Sequence, residues 1–217
     1  MLQVCWSPKG GSGTSVVAAA IALQAAAEGH DTLLVDLAGD QAAVCGVEAG
    51  DGIGDWFAAA ADVGPEALRS LEVEVGDRLR LLRRGGSPES RWPPERVALA
   101  MALFDRSPGL VVVDCGRQTG EGLPASAEAV VVTRGCYLAL RRMADAPIER
   151  SRIVLIEEPG RALSRRDIEA AIGAIAVVLP YDPAVARAVD AGLLASRMPR
   201  SLRPLRRLSG TARRVGA

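Results

Sequence analysis

The sequence predicts an α/β domain of three layers, α/β/α, built on a mostly parallel, doubly wound sheet. Three observations predict it. Short apolar runs of strand length recur along the chain and alternate with stretches of helical character, the order that generates βαβ units. Two of these runs, Thr32-Leu33-Leu34-Val35-Asp36 and Leu110-Val111-Val112-Val113-Asp114, end in a carboxylate, placing charge at the C-terminal sheet edge where open α/β sheets bind ligands. The first apolar run is followed by a glycine-dense turn and then an Ala-rich helix former.

That first unit organises the rest. Leu2-Gln3-Val4-Cys5-Trp6 reads as a strand, Ser7-Pro8-Lys9-Gly10-Gly11-Ser12-Gly13-Thr14-Ser15 as a loop, and Val16 to Ala27 as a helix. Strand, glycine loop and helix N-terminus form a phosphate-binding geometry. Glycines let backbone N–H groups converge, and the helix dipole adds partial positive charge where phosphates sit. The ordinary pattern is G-x-x-x-x-G-K-[ST], with a lysine reaching the terminal phosphates and a hydroxyl on Mg²⁺. Here Thr14 stands in the lysine's place, Ser15 keeps the hydroxyl, and a lysine stands at the front of the loop as Lys9. Of 26 basic residues, Lys9 is the single lysine, so its position reads as functional rather than as an exposed lysine on a strand-to-helix turn.

Lys9-Gly10-Gly11-Ser12-Gly13-Thr14-Ser15 resembles the K-G-G-x-G-K-[ST] motif of the deviant Walker A ATPases of the MinD/ParA type, with the second lysine lost. The resemblance runs to about residue 195. It implies a P-loop NTPase fold, ATP and Mg²⁺ as ligands, Gly10 to Ser15 around the phosphates, and Lys9 contacting nucleotide across a homodimer interface.

The remaining elements follow in order. After the strand ending in Asp36, Leu37-Ala38-Gly39-Asp40-Gln41 is similar to the family's second acidic loop, which implies that Asp40 orients the attacking water. Asp36 is then a Mg²⁺-side or a structural carboxylate, and a helix N-cap role for Asp40 before Gln41 to Val44 is compatible. Asp51 to Ala61 and the segment from Pro65 read as helices. Leu71 to Val75 alternates as a half-exposed strand, and Leu79 to Leu82 follows a turn. Gly85 to Arg91 is the longest loop by composition, and Pro93-Pro94 starts a helix to Phe104. Leu110 to Val113 followed by Asp114 has the Walker B arrangement, a carboxylate holding Mg²⁺ beside the P-loop hydroxyl, and Cys115-Gly116-Arg117 occupies the family's switch position. Ala129 to Thr133, Arg152 to Ile156 and Ala174 to Leu179 complete the sheet, with helices starting near Cys136, Ser164 and Pro183. The turn Pro180-Tyr181-Asp182-Pro183 resembles the loop that packs on the nucleotide base, which implies base contact by Pro180 and Tyr181. Where many relatives offer an Asn, this chain has Glu157-Glu158-Pro159.

Composition sets the outer limits. The chain has 217 residues and a formal net charge of zero, enough length for a full core and no whole-molecule field toward nucleic acid or membrane. Four cysteines without C-x-x-C spacing read as reduced thiols of a cytoplasmic protein; no signal peptide or membrane span is expected, and His30 reads as a turn residue. Residues 1–195 are expected to form the nucleotide-binding domain and 196–217 a basic tail, with Leu202, Leu205 and Leu208 as a short apolar stripe. The tail's seven arginines suit a solvated segment, DNA, anionic membrane or an acidic protein partner. Val131 to Leu140 and Pro180 to Leu193 look most like CpaE/TadZ-type proteins, which implies a partner in a pilus or secretion localisation system. Two functions are therefore expected. One is a dimerising ATP switch that positions a cargo (pilus or secretion machinery, septum or DNA) with slow or absent hydrolysis. The other is a degenerate pseudo-ATPase scaffold that recruits partners.

Overall fold

The computed structural model describes residues 1–60, 62–89, 92–117, 124–144, 146 and 151–210. In the eight-stranded sheet, β1 (Leu2–Trp6) lies at the centre between β5 (Leu110–Asp114) and β6 (Glu128–Arg134). Outward on one side come β2 (Thr32–Asp36), β4 (Leu79–Leu82) and β3 (Glu72–Gly76), and on the other β7 (Arg152–Glu157) and β8 (Ile175–Pro180). Every pairing is parallel except β3 on β4, which closes one edge as a hairpin turning at Arg78, a non-glycine residue with φ 58°. The central strands are apolar runs because both of their faces are covered.

Side-chain alternation sorts those strands onto two cores. Leu2, Val4, Val111 and Val113 face the layer of α3 (Ile53–Ala58), α4 (Pro65–Ser70), α5 (Pro94–Asp105), α6 (Tyr137–Ala144) and α7 (Arg165–Ile172). Cys5, Leu110 and Val112 face the layer of α1 (Thr14–Ala27), α2 (Gln41–Cys45) and α8 (Pro183–Asp190). The expected helix over Asp51 to Ala61 is shorter, because Gly52 and Asp55 close a cap at its start and Ala59 is extended at its end.

The second layer continues past the expected boundary at residue 195. A 3-10 turn (Arg200–Leu205) and α9 (Arg206–Ser209) lie on α1, and Leu202, Leu205 and Leu208 are buried in the same core as α1. The amide of Gln24 donates to Leu202 O at 3.2 Å and that of Gln3 to Leu208 O at 2.8 Å, while Arg206 pairs with Glu28. Residues 196–209 therefore belong to the packed domain instead of forming a solvated tail, and the leucine stripe is what packs them. Arg213 and Arg214 lie outside the described residues. No helix among the described residues is long and apolar enough to cross a membrane.

Candidate functional site

The loop between β1 and α1 holds its shape through its own polar groups. Gly11 (φ 75°) and Gly13 (φ 93°) take left-handed conformations that side chains disfavour, and a Cβ on Gly13 would stand 2.9 Å from Ile156 Cδ1. The Ser7 hydroxyl donates to Lys9 O at 2.8 Å, the Ser12 hydroxyl donates to the same oxygen at 2.6 Å, and Ser7 N–H reaches Gly116 O at 2.8 Å. Gly13 is the N-cap of the 14-residue α1 and offers no side-chain cap, so the helix's first N–H groups face the loop. Thr14 is buried as the first helical residue, and Lys9 is half-buried at the loop's front. Beside that front, the Arg142 guanidinium of α6 donates to Pro8 O at 3.2 Å.

Opposite the loop, β2 and β5 run in register and bring Asp36 beside Asp114. Asp36 accepts Gly39 N–H at 2.6 Å on one oxygen and Gln41 N–H at 3.0 Å on the other, so its carboxylate ties down the acidic loop. Burial drives its pKa up to about 6 against those hydrogen bonds, with the neighbouring Asp114 charge adding to the rise. Asp114 accepts Gly116 N–H at 3.0 Å and the Gln41 amide at 2.8 Å. Burial raises its pKa too, opposed by hydrogen bonds from Ser15, Gln41 and Gly116. Asp40 is the N-cap residue of α2 but its side chain caps nothing; it faces the Ser15 hydroxyl at 3.4 Å. The hydroxyl and the carboxylates of Asp40 and Asp114 are hard oxygen donors of the kind Mg²⁺ takes, directly or through water. Both carboxylates on the paired strands have each oxygen hydrogen-bonded, Asp36 by two backbone N–H groups of its own loop and Asp114 by the Gly116 N–H and the Gln41 amide.

A cleft of about 680 Å³ opens over Gly10 to Val16, walled by Asp40 and Ala43 on one side and by Gly116 and Arg117 on the other. A second hollow of about 250 Å³ adjoins it, sharing Gly13, Val16, Arg134 and Val189. Val17, Ile156, Leu179, Pro180 and Tyr181 make that hollow mainly apolar. Asp182 sits behind it, capping α8 through Ala184 N–H at 2.8 Å and accepting the Ser201 hydroxyl at 2.7 Å. Glu158 is engaged by both Arg134 and Arg161. Burial raises its pKa, but the hydrogen bonds from Arg161 and Arg134 outweigh it and hold the carboxyl below its ordinary range.

The structure thus brings Gly10 to Ser15 and Asp40 to one cleft and Pro180 with Tyr181 to its annexe, while Asp114 is fully buried next to the cleft-lining Cys115 and Lys9 lies at the loop's front outside the lining. Two residues that sequence reasoning missed join them. Gln41 is fully buried and its amide spans Asp114 and Ser15 O (2.9 Å), locking the acidic loop to α1. Arg134 ends β6 at the junction of the two hollows. A polar residue directly after Asp40 was the only trace of the first, and an arginine closing an apolar strand was the only trace of the second.

No protein-family model matches this chain. No curated protein matches it either. Solved structures do. A ParA family ATPase from Chlorobium tepidum superposes with TM-score 0.71 at 23% identity, covering 96% of this chain and 98% of that one. MinD from Pyrococcus horikoshii with Mg-ADP gives TM-score 0.76 at 17% identity, with 96% and 95% covered. The MinC:MinD complex of Aquifex aeolicus gives TM-score 0.74 at 20% identity, with 98% and 97% covered. The chain has the three-layer P-loop fold of the MinD/ParA ATPases.

Proposed function

We propose that this chain is a MinD/ParA-type nucleotide switch: it binds ATP with Mg²⁺ in the 680 Å³ cleft and dimerises through Lys9. The observation that carries the reading is the uncapped N-terminus of α1, opening into that cleft beside the Ser15 hydroxyl and the Asp40 carboxylate, with the Asp114 carboxylate buried. Backbone N–H groups of Gly10 to Thr14 take the phosphates. Ser15 and Asp114 would hold Mg²⁺, with Asp40 alongside to orient a water. The metal's chemistry is neutralisation of the phosphate charge. Asp36 and Gln41 keep the acidic loop in register with α1. Pro180 and Tyr181 pack on the base, and the half-buried position of Lys9 at the loop's front suits a reach into the partner subunit's nucleotide. MinD of P. horikoshii was solved with Mg-ADP in this fold, and MinD of A. aeolicus with its partner MinC. We assign this chain, by the same logic, a protein partner in a cargo-positioning system of the cytoplasm, where its free cysteines stay reduced.

Turnover is slow on this reading. Thr14 is neutral where a cation meets the terminal phosphates, and removing one preorganised electrostatic contact costs about 10² to 10³ in rate. That same residue favours the second reading, a scaffold that keeps the dimer surface without catalysis.

The test is calorimetry of Mg·ATP binding to the wild type and to Lys9→Ala, with light scattering on the same samples. Saturable binding that produces a dimer in the wild type and not in the variant is the expected result. An unchanged oligomer and no heat at millimolar nucleotide would leave the scaffold reading standing.

A further inference from the structure

A neutral buried Thr14 leaves the terminal phosphates of a bound nucleotide without their usual in-cis cation, so any substitute has to come from another side chain at the cleft. Two arginines line it among the described residues, Arg117 and Arg134. Arg134 is committed to Glu158, which also holds Arg161. Arg117 makes no hydrogen bond or ion pair with any described residue.

The position of Arg117 is fixed from below. It follows the turn at Gly116 (φ 57°), whose N–H donates to Asp114 and whose carbonyl accepts Ser7 N–H, so the turn is fastened both to the acidic strand and to the base of the loop. From there the side chain runs over the loop: its Cδ would stand 3.0 Å from a Cβ on Gly10, and its Nε 3.7 Å from it. Gly10 has no positive φ; its missing side chain is what leaves room for the arginine stem. The result is a guanidinium carried across the mouth of a phosphate-shaped loop, with no ion-pair partner among the described residues.

We infer that Arg117 supplies in cis the cation that Thr14 cannot, binding the β- and γ-phosphates of a nucleotide held by the loop. The inference rests on the nucleotide-binding reading above. A guanidinium suits the task because its planar fork meets two phosphate oxygens at once and stays charged at every working pH. The single lysine is thereby freed for the partner's nucleotide, and the two cations have separate roles.

The experiment measures Mg·ATP and Mg·ADP affinity by calorimetry for the wild type, Arg117→Ala, Arg117→Gln and Arg117→Lys, with thermal melts of each. Arg117 is exposed, so all variants are expected to fold with unchanged melting points. Arg117→Ala and Arg117→Gln are expected to bind ATP roughly 10- to 100-fold more weakly, the loss that follows removal of a charged hydrogen-bond donor, and Arg117→Lys to keep most of the affinity. Wild-type affinity within twofold in Arg117→Gln, or a loss in Arg117→Lys as deep as in Arg117→Ala, overturns the inference and leaves nucleotide binding intact. Failure of the wild type itself to bind nucleotide overturns both.

Discussion

Asp36 and Asp114 are two carboxyls side by side on paired strands, both buried and both raised in pKa, and they hold different partners. Asp36 keeps its own loop, whereas Asp114 holds Gln41 and the switch turn. Burial raises Asp36 from 3.8 to about 6, so between those values the folded chain retains a proton that the unfolded chain has released. A raised acid stabilises the fold at pH below its unfolded pKa, and that contribution disappears as pH rises through the folded pKa. Metal-free protein should therefore lose stability on going from about pH 4 to about pH 6, by on the order of 3 kcal/mol from this group. Denaturant melts across that range check it: Asp36→Asn should show a visibly flatter slope than the wild type, whatever its stability at any single pH. Gln41 marks the limit of reading residues from sequence. Asp36 and Asp114 were legible because a charge at the end of an apolar strand has few structural uses, whereas Asp40 was legible only through the resemblance of its loop to the family's acidic loop. A glutamine after an aspartate has many, and only the register of β2 on β5 shows that its amide bridges two elements.

At the scale of elements, the strands and their order of alternation with helices were legible because a buried parallel strand must be apolar on both faces and short. The C-terminal segment was not, although α1 carried the signal. Its residues from Val17 to Ala22 are buried without interruption, and a helix apolar on every side needs cover on every side. The sheet covers one side; Leu202, Leu205 and Leu208 supply cover on another. Their three-residue spacing was visible, but the surrounding arginines, all exposed in the described part, and Pro199 and Pro204 disguised it as a tail. Proline is accommodated because the segment begins as a 3-10 turn, which a long α-helix could not do around Pro204. Leu205→Ala should then cost about 2 to 5 kcal/mol, as a buried leucine does, where a tail residue would cost next to nothing. Urea unfolding distinguishes the two, and Arg203→Ala on the exposed side of the same turn should change stability by less than about 0.5 kcal/mol.

For the whole molecule, the site sits where the topology reverses. The chain winds outward from the central β1 in both directions, and the loops after β1, β2 and β5 meet at one sheet edge. Anything bound there touches three loops that the unfolded chain cannot bring together, so binding and folding are linked. A ligand that binds only the folded state adds about 2.7 kcal/mol at 100 times its Kd. In a chain of this size each kcal/mol moves the melting temperature by roughly 2 to 4 °C. Mg·ATP or Mg·ADP at that excess should consequently raise the melting temperature by roughly 5 to 10 °C, while MgCl₂ alone or inorganic phosphate at equal ionic strength should raise it far less. Melting curves in the four conditions check the link. A shift with nucleotide that vanishes in Gly13→Ala, whose Cβ would collide with Ile156 at the junction of the two hollows, would place the ligand in the cleft; equal melting in all four would count against any nucleotide at this sheet edge.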